Sequence, residues 1–210
     1  ALPAVYGHEA AGHVSATGPG VTGIAPGDRV LVTLIRACGT CPACAVGAPT
    51  SCYHAWDAAP SPLADAAGAP VTRAMNTGAF AEAVVVDRSQ IAPLPDDLPL
   101  DLACLLACGV ITGVGAVLNT AAMRPGARVA VIGAGGVGLN AIQGAVLGGA
   151  ALIVAIDLSP ERLATAREFG ATHVVAERGD AGVAAVQELT DGLGADRVLE
   201  CVGTKESMDQ

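Results

Sequence analysis

The stretch VAVIGAGGVGL, Val129 to Leu139, decides how the second half of the chain folds. Arg128 to Ile132 is a short apolar run bounded by Gly126 and Gly133, the pattern of a buried strand. Val137 to Leu147 then reads as a helix. Glycines at 133, 135 and 138 occupy the junction between the two. The first allows a tight turn, the second lets another group approach the backbone, and the third lets helix and strand pack closely. Six residues of this kind are weak evidence alone; a strand before them and a helix after them make them specific.

The rhythm continues beyond the turn. Leu152 to Ile156, His173 to Ala176 and Arg197 to Cys201 read as strands. Pro160 to Phe169 and Val183 to Leu189 read as helices, the first with Pro near its start and Gly170 just past its end. Apolar strands alternating with helices predict a parallel sheet covered on both faces. Asp157 ends the second strand, 19 residues beyond Gly138. A carboxylate there accepts hydrogen bonds from ribose hydroxyls, while the helix N-terminus faces a pyrophosphate with free N–H groups. The pattern therefore points to a dinucleotide, and the negative charge of Asp157 favours NAD over NADP despite Arg162 nearby. A glycine-rich turn that binds no dinucleotide is the simpler alternative.

The first half has another texture. Val14 to Ala16, Arg29 to Leu34 and Ala81 to Val86 are predicted strands between Gly and Pro turns, with GDRV (Gly27 to Val30) feeding the second. Ser51 to Ala79 lacks a period and reads as a long surface loop. Around Cys108 and Gly109, LACLLACGVITGVGAV predicts a helix, a tight break and a second helix.

Between these segments stands CGTCPACAVGAPTSC, with Cys38, Cys41, Cys44 and Cys52 within 15 residues and Gly39 and Gly47 as turn points. Four soft thiolates at this spacing suit tetrahedral Zn²⁺ in a closed, structural site. An iron–sulfur cluster is the rival. Its usual run places the fourth cysteine three residues after the third and before a proline. Here the gap is seven, and the Cys-Pro pair falls at Cys41. Further upstream, GHEAAG (Gly7 to Gly12) sets His8 beside Glu9. His8 and Cys108 supply two of the three protein ligands that a catalytic zinc needs, and Glu9 is a neighbour or transient ligand.

Composition narrows the function classes. A net charge of −9 argues against nucleic acid or an anionic membrane surface as partner. Leu98 to Leu118 is the most apolar stretch, but Asp101 and several glycines interrupt it, so no membrane span is expected. Seven cysteines, an odd number, suit metal thiolates in a reducing, cytoplasmic compartment better than a disulfide framework. The chain opens at Ala1 without a signal peptide, and both ends read as cut from a longer protein.

In combination, GHEAAG, Gly18, Val21, GDRV, the four-cysteine lobe, LLACGVITGVGA around Cys108 and VAVIGAGGVGL with VAID resemble the zinc-containing medium-chain alcohol dehydrogenases over essentially all 210 residues. The resemblance implies an α/β chain. Residues 1–112 would form a partial GroES-like, β-rich catalytic domain whose structural-zinc lobe spans 38–52. Residues 113–210 would form a partial Rossmann domain with a doubly wound parallel sheet. It implies zinc and NAD as cofactors and hydride transfer between NAD and a small alcohol or aldehyde. His8 and Cys108 would be catalytic-zinc ligands beside Glu9, and Cys108 at that position resembles the alcohol branch more than the polyol branch. Thr112, Val137 and Val202 would lie near the nicotinamide, and Leu34 in the substrate pocket. Gly133, Gly135, Gly136 and Gly138 would hold the pyrophosphate turn, and Asp157 and Arg162 the adenosine ribose. The intact protein would be a homo-oligomer.

The family's remaining zinc-ligand cysteine and its proton relay fall upstream of His8, and its last nucleotide-domain strands fall after Gln210. The intact protein is therefore expected to be active and this polypeptide poorly so, with an exposed edge at Val198 to Val202. Two alternatives stand beside this reading: a relative that binds NAD and zinc without catalysis, and a glutathione-linked formaldehyde dehydrogenase. His13, His54 and His173 are expected to be ordinary polar residues, and Cys104 and Cys201 core residues.

Overall fold

The computed structural model describes residues 2–55 and 61–209, in two compact units that divide between Cys108 and Gly109. That division lies four residues before the boundary expected at 112. Trp56 and Asp57, within the loop expected over Ser51 to Ala79, lie outside the described residues.

The first unit is built on short strands. β1 (Ala4–Val5), β2 (Ala10–His13), β3 (Arg29–Val32), β4 (Thr72–Arg73) and β5 (Ile91–Pro93) form two sheets. β2, β3 and β5 pair antiparallel in that order, and β1 pairs parallel with β4. The sequence RVLV makes β3 the central strand because three successive apolar residues, Val30, Leu31 and Val32, are all buried. Gly27 at φ +96° makes the turn that feeds it, held by Gly27 N–H to Val14 O at 2.8 Å and Val14 N–H to Asp28 O at 2.9 Å. The helix α1 (Pro42–Ala45) lies inside the cysteine lobe, and α2 (Leu100–Ala103) runs into a 3₁₀ turn over Cys104–Ala107. The helical run breaks at Cys108, whose backbone is at φ −142° and ψ −74°.

Three expectations for this unit need correction. The strand of the GHEAAG motif is Ala10–His13, not Val14 to Ala16. Ala81 to Val86 forms no strand; the Val85 carbonyl accepts from the Arg73 guanidinium instead of from a neighbouring strand. The segment expected as a loop to Ala79 is tied down in its second half by β4 and by Thr77, which is buried. β-Branched residues favour extended backbone, but a strand exists only where a partner supplies the ladder.

The second unit contains α3 (Gly109–Gly115), β6 (Arg128–Ile132), α4 (Gly136–Leu147), β7 (Leu152–Ile156), α5 (Pro160–Glu168), β8 (His173–Val175), α6 (Gly179–Leu189), β9 (Arg197–Glu200) and α7 (Lys205–Met208). Its strands are all parallel in the order β8-β7-β6-β9. This is the start of a doubly wound sheet, as the alternating sequence predicts. Alternate residues serve opposite faces. Val129, Val131, Ile153 and Ala155 pack with Ile142 of α4 and Leu163 of α5. Ala130, Ile132, Val154 and Ile156 pack with Val186 of α6. Each large aliphatic side chain so buried contributes about 1.5–3 kcal/mol.

β8 and β9 are the edge strands of this sheet, with Val198 exposed on β9 and Val202 exposed just beyond. α3 lies against α4 so closely that a Cβ at Gly113 would stand 2.5 Å from the Val137 carbonyl oxygen. Among the described residues no single helix is long and apolar enough to cross a membrane.

Candidate functional site

The four cysteines of the lobe converge. The sulfurs of Cys38, Cys41, Cys44 and Cys52 all lie within 4.8 Å of one another, and none is in a disulfide. A tetrahedral ion with metal–sulfur bonds near 2.3 Å requires sulfurs about 3.8 Å apart. Cys41 Sγ and Cys52 Sγ are 3.9 Å apart. An iron–sulfur core of several atoms needs more room between its thiolates than this spacing leaves. The donors therefore fit a single zinc ion.

Backbone N–H groups point at the sulfurs, as they do where thiolates must be stabilised. Cys38 Sγ accepts from Thr40 N–H at 3.5 Å and Cys41 N–H at 3.3 Å. Cys52 Sγ accepts from Cys38 N–H at 3.3 Å and His54 N–H at 3.4 Å. The Thr40 donors, with that of Cys41, hold the Cys38 thiol down at about 5. Burial, with the neighbouring thiols, pushes Cys44 up to about 11. Without metal, protons are therefore shared unevenly, and a metal ion must displace those that remain.

His8 and Cys108 lie in the same unit as the lobe but apart from it in sequence role. His8 is half-buried two residues before β2, and Glu9 beside it is exposed. β2 packs against the Cys104–Ala107 turn, and half-buried Cys108 directly follows that turn. Among the described residues, only the four lobe cysteines form a group of three or more donors close enough for one ion. Leu34 is half-buried just past β3.

In the second unit the glycine motif has the geometry its spacing calls for. Gly133 turns at φ +90°, and a Cβ there would meet Val202 Cγ2 at 2.6 Å. A Cβ at Gly138 would lie 1.8 Å from the Gly133 carbonyl oxygen. By contrast, nothing stands within 4 Å of a Cβ at Gly135 or Gly136. The first and third glycines close the turn, and the middle pair leaves open space at the start of α4. Val137 is half-buried in the first turn of that helix, while Thr112 is exposed on α3.

Asp157 is fixed by the same turn. Its Oδ2 accepts from Ala134 N–H at 2.8 Å, and its Oδ1 from Ser159 N–H at 2.9 Å. The Arg162 guanidinium is 3.7 Å away and largely exposed. Burial pushes the carboxyl up, but those N–H donors and Arg162 outweigh it and hold Asp157 below the usual carboxylate range. Asp157, Arg162, Arg178, Gly133, Val202 and Thr204 line one cleft of about 680 Å³. A cleft of that volume takes a cofactor-sized ligand. An ionised carboxylate on its wall suits a ribose, and the open start of α4 at Gly135 and Gly136 suits a pyrophosphate.

Over residues 1–96 the sequence matches the family described as alcohol dehydrogenase GroES-like domain, and over residues 136–210 that described as zinc-binding dehydrogenase. The chain belongs to the zinc-containing medium-chain alcohol dehydrogenase family. It is 38% identical to alcohol dehydrogenase B of Mycobacterium tuberculosis, over 99% of this chain and 57% of that protein. It is 37% identical to alcohol dehydrogenase class-P of Arabidopsis thaliana, over 100% of this chain and 58% of that one. Among solved structures, an alcohol dehydrogenase zinc-binding domain protein from Burkholderia ambifaria superposes with a TM-score of 0.92 at 40% identity, over 99% of this chain and 58% of that chain. Benzyl alcohol dehydrogenase from Acinetobacter calcoaceticus gives 0.88 at 35% identity, with the same coverage of 99% and 58%. This alcohol dehydrogenase relative thus spans somewhat over half the length of the proteins it matches.

The remaining expectations divide. His13 is exposed, and His173 begins β8 with its Nδ1 3.0 Å from the Thr172 hydroxyl. Cys104 is not a core residue. Ala103 and Ala107 take the buried positions of that turn, and Cys104 is only half-buried, donating to Asp101 O at 3.1 Å. Cys201 packs against the core of the parallel sheet, and burial raises its thiol. Sequence reasoning gave no role to Glu200, whose carboxylate accepts from Val202 N–H, Gly203 N–H and the Ser207 hydroxyl and so gathers the turn after β9.

Proposed function

We propose that this chain is the zinc- and NAD-binding portion of an oxidoreductase that transfers a hydride between NAD and a small alcohol or aldehyde. The observation that carries the reading is the cleft. It is lined by Gly133 and by an ionised Asp157 that is locked to the glycine turn at Ala134, and further along that turn a Cβ at Gly135 or Gly136 would meet nothing within 4 Å. We assign the adenosine ribose to Asp157 and Arg162, the pyrophosphate to the turn from Gly133 to Gly138, and the nicotinamide to the side of Thr112, Val137 and Val202. The buried negative charge at Asp157 repels a 2′-phosphate, so NAD is preferred over NADP.

The lobe of Cys38, Cys41, Cys44 and Cys52 would hold a zinc closed to substrate and stiffen the loop around it. We assign His8 and Cys108 as ligands of a second, catalytic zinc, with Glu9 beside them. That ion would supply Lewis acidity toward an alcohol or carbonyl oxygen, and the nicotinamide would exchange hydride with the carbon. We place the protein in the cytoplasm, as a homo-oligomer; seven free cysteines suit a reducing compartment.

Titration with NADH and NADPH, followed by fluorescence, tests the cofactor reading. NADH should bind and Asp157→Asn should lose much of the preference over NADPH. Equal affinity of the unaltered chain for both would refute it. Alcohol oxidation with NAD by the chain, set against binding alone, separates the catalytic reading from a relative that binds both cofactors without chemistry.

A further inference from the structure

Gln90 is wholly buried, and it belongs neither to the dinucleotide cleft nor to the thiolate set of the lobe. It closes the short turn over Arg88–Gln90 that leads into β5. Each end of its amide is engaged. Nε2 donates to the Thr33 carbonyl at 2.9 Å and to the Asn76 carbonyl at 3.3 Å, and Oε1 accepts from Asp87 N–H at 3.1 Å. A buried amide satisfied in this way fixes its neighbours, because the loss of any one leaves a desolvated group unpaired. Here it joins the end of β3, the turn at Asn76 and the turn that starts at Asp87.

The segments so joined reach both ends of the cysteine lobe. Asn76 Nδ2 donates to the Ala55 carbonyl at 2.8 Å, three residues after Cys52. Ser89 Oγ accepts from Ala37 N–H, immediately before Cys38, at 3.0 Å and donates to Asp87 Oδ1 at 2.8 Å. The Arg36 guanidinium adds an ion pair with Asp87 at 3.7 Å. The chain thus leaves for the lobe at Ala37 and returns at Ala55, and one polar network holds both points. The turn that aims Asn76 is strained: Met75 lies at φ +53° and Asn76 at φ +57°. Two successive residues other than glycine keep such backbone only where their surroundings impose it.

We propose that Asn76 and Ser89, set in place by Gln90, are positioning residues for the metal lobe: they clamp its two ends and so raise its affinity for zinc. This rests on the lobe being a zinc site. With Ala37 and Ala55 pinned, uptake of the ion orders only the residues between them. A lobe with one end released must also lose the entropy of its closure when the thiolates gather. None of the three residues is a thiolate donor, so the ligand set survives their replacement.

The test is zinc affinity, read by competition with a chromophoric chelator, with thermal unfolding of the metal-free chain measured alongside. Every chain carries His8→Ala, so that the lobe alone is read. Asn76→Gly removes the tie to Ala55, keeps the carbonyl that Gln90 uses, and suits a backbone at φ +57°. It should weaken zinc about fivefold, the worth of one neutral hydrogen bond, with the Tm of the metal-free chain little changed. Ser89→Ala should weaken zinc by a similar factor, and Ser89→Thr, which keeps the hydroxyl, should restore it. Should Asn76→Gly fail to fold, the two variants at exposed Ser89 decide. Zinc held as tightly by Asn76→Gly and Ser89→Ala as by the His8→Ala reference, or weakened only in step with a lower Tm, would overturn the proposal. Failure of that reference to take up one zinc would overturn the zinc reading beneath it.

Discussion

The glycines of the motif make a discriminating experiment because their surroundings differ so much. A Cβ at Gly138 would sit 1.8 Å from the Gly133 carbonyl oxygen, about 1.6 Å short of ordinary contact at 3.4 Å. The obstacle is backbone, with no side chain to swing aside, so β6 and α4 must separate. Overpacking of this kind costs at least the upper part of the usual range of about 1–3 kcal/mol. For a domain of this size that corresponds to a fall in Tm on the order of 12 °C or more. At Gly135 and Gly136 a Cβ meets nothing within 4 Å. Gly135→Ala should therefore leave stability within about 0.5 kcal/mol. It should nonetheless weaken NADH at least about tenfold, since a methyl then occupies the approach of the pyrophosphate. Differential scanning calorimetry and NADH titration of both variants give the two coordinates. Gly138→Ala should lose stability and binding together, and Gly135→Ala binding alone. A stable Gly138→Ala, or a Gly135→Ala as unstable as it, would refute the packing argument.

Three other outcomes follow from the same geometry. Gly113→Ala gains helix propensity of about 1 kcal/mol but drives a methyl to 2.5 Å from the Val137 carbonyl; chemical denaturation should show a net loss. Asp196 is held well below the usual carboxylate range by hydrogen bonds from the Arg128 side chain and N–H, at 2.7 Å for the ion pair. Its contribution is complete above the unfolded value of about 3.9 and lost as pH falls through the depressed folded one. Asp196→Asn should flatten the acid limb of the stability curve. Chelation of zinc should destabilise the first unit and release the lobe thiols to a thiol reagent, while NADH affinity of the second unit stays unchanged.

The parallel sheet was legible because each of its cues is local. Apolar runs at 128–132 and 152–156, the glycine spacing and Pro160 each state their element within a few residues, and β8-β7-β6-β9 is the 3-2-1-4 order that opens the doubly wound topology. The cysteine lobe was legible for the same reason: its four sulfurs lie close in sequence, so convergence needs only two turns. The β-rich unit was harder to read. Whether Ala81 to Val86 forms a strand depends on a partner far away in sequence, and its composition does not name one. Cys104 was misplaced because one residue of slip on a single turn exchanges the buried face for the exposed one. Glu200 escaped because a carboxylate that accepts backbone N–H groups leaves no pattern beyond its own position.

Metal content of the purified chain, by mass spectrometry of zinc and iron, tests the central claim most directly. The account predicts zinc without iron, with one zinc per chain that survives His8→Ala and Cys108→Ala but is lost in Cys52→Ser. Iron in place of zinc, or zinc undiminished in Cys52→Ser, would contradict it.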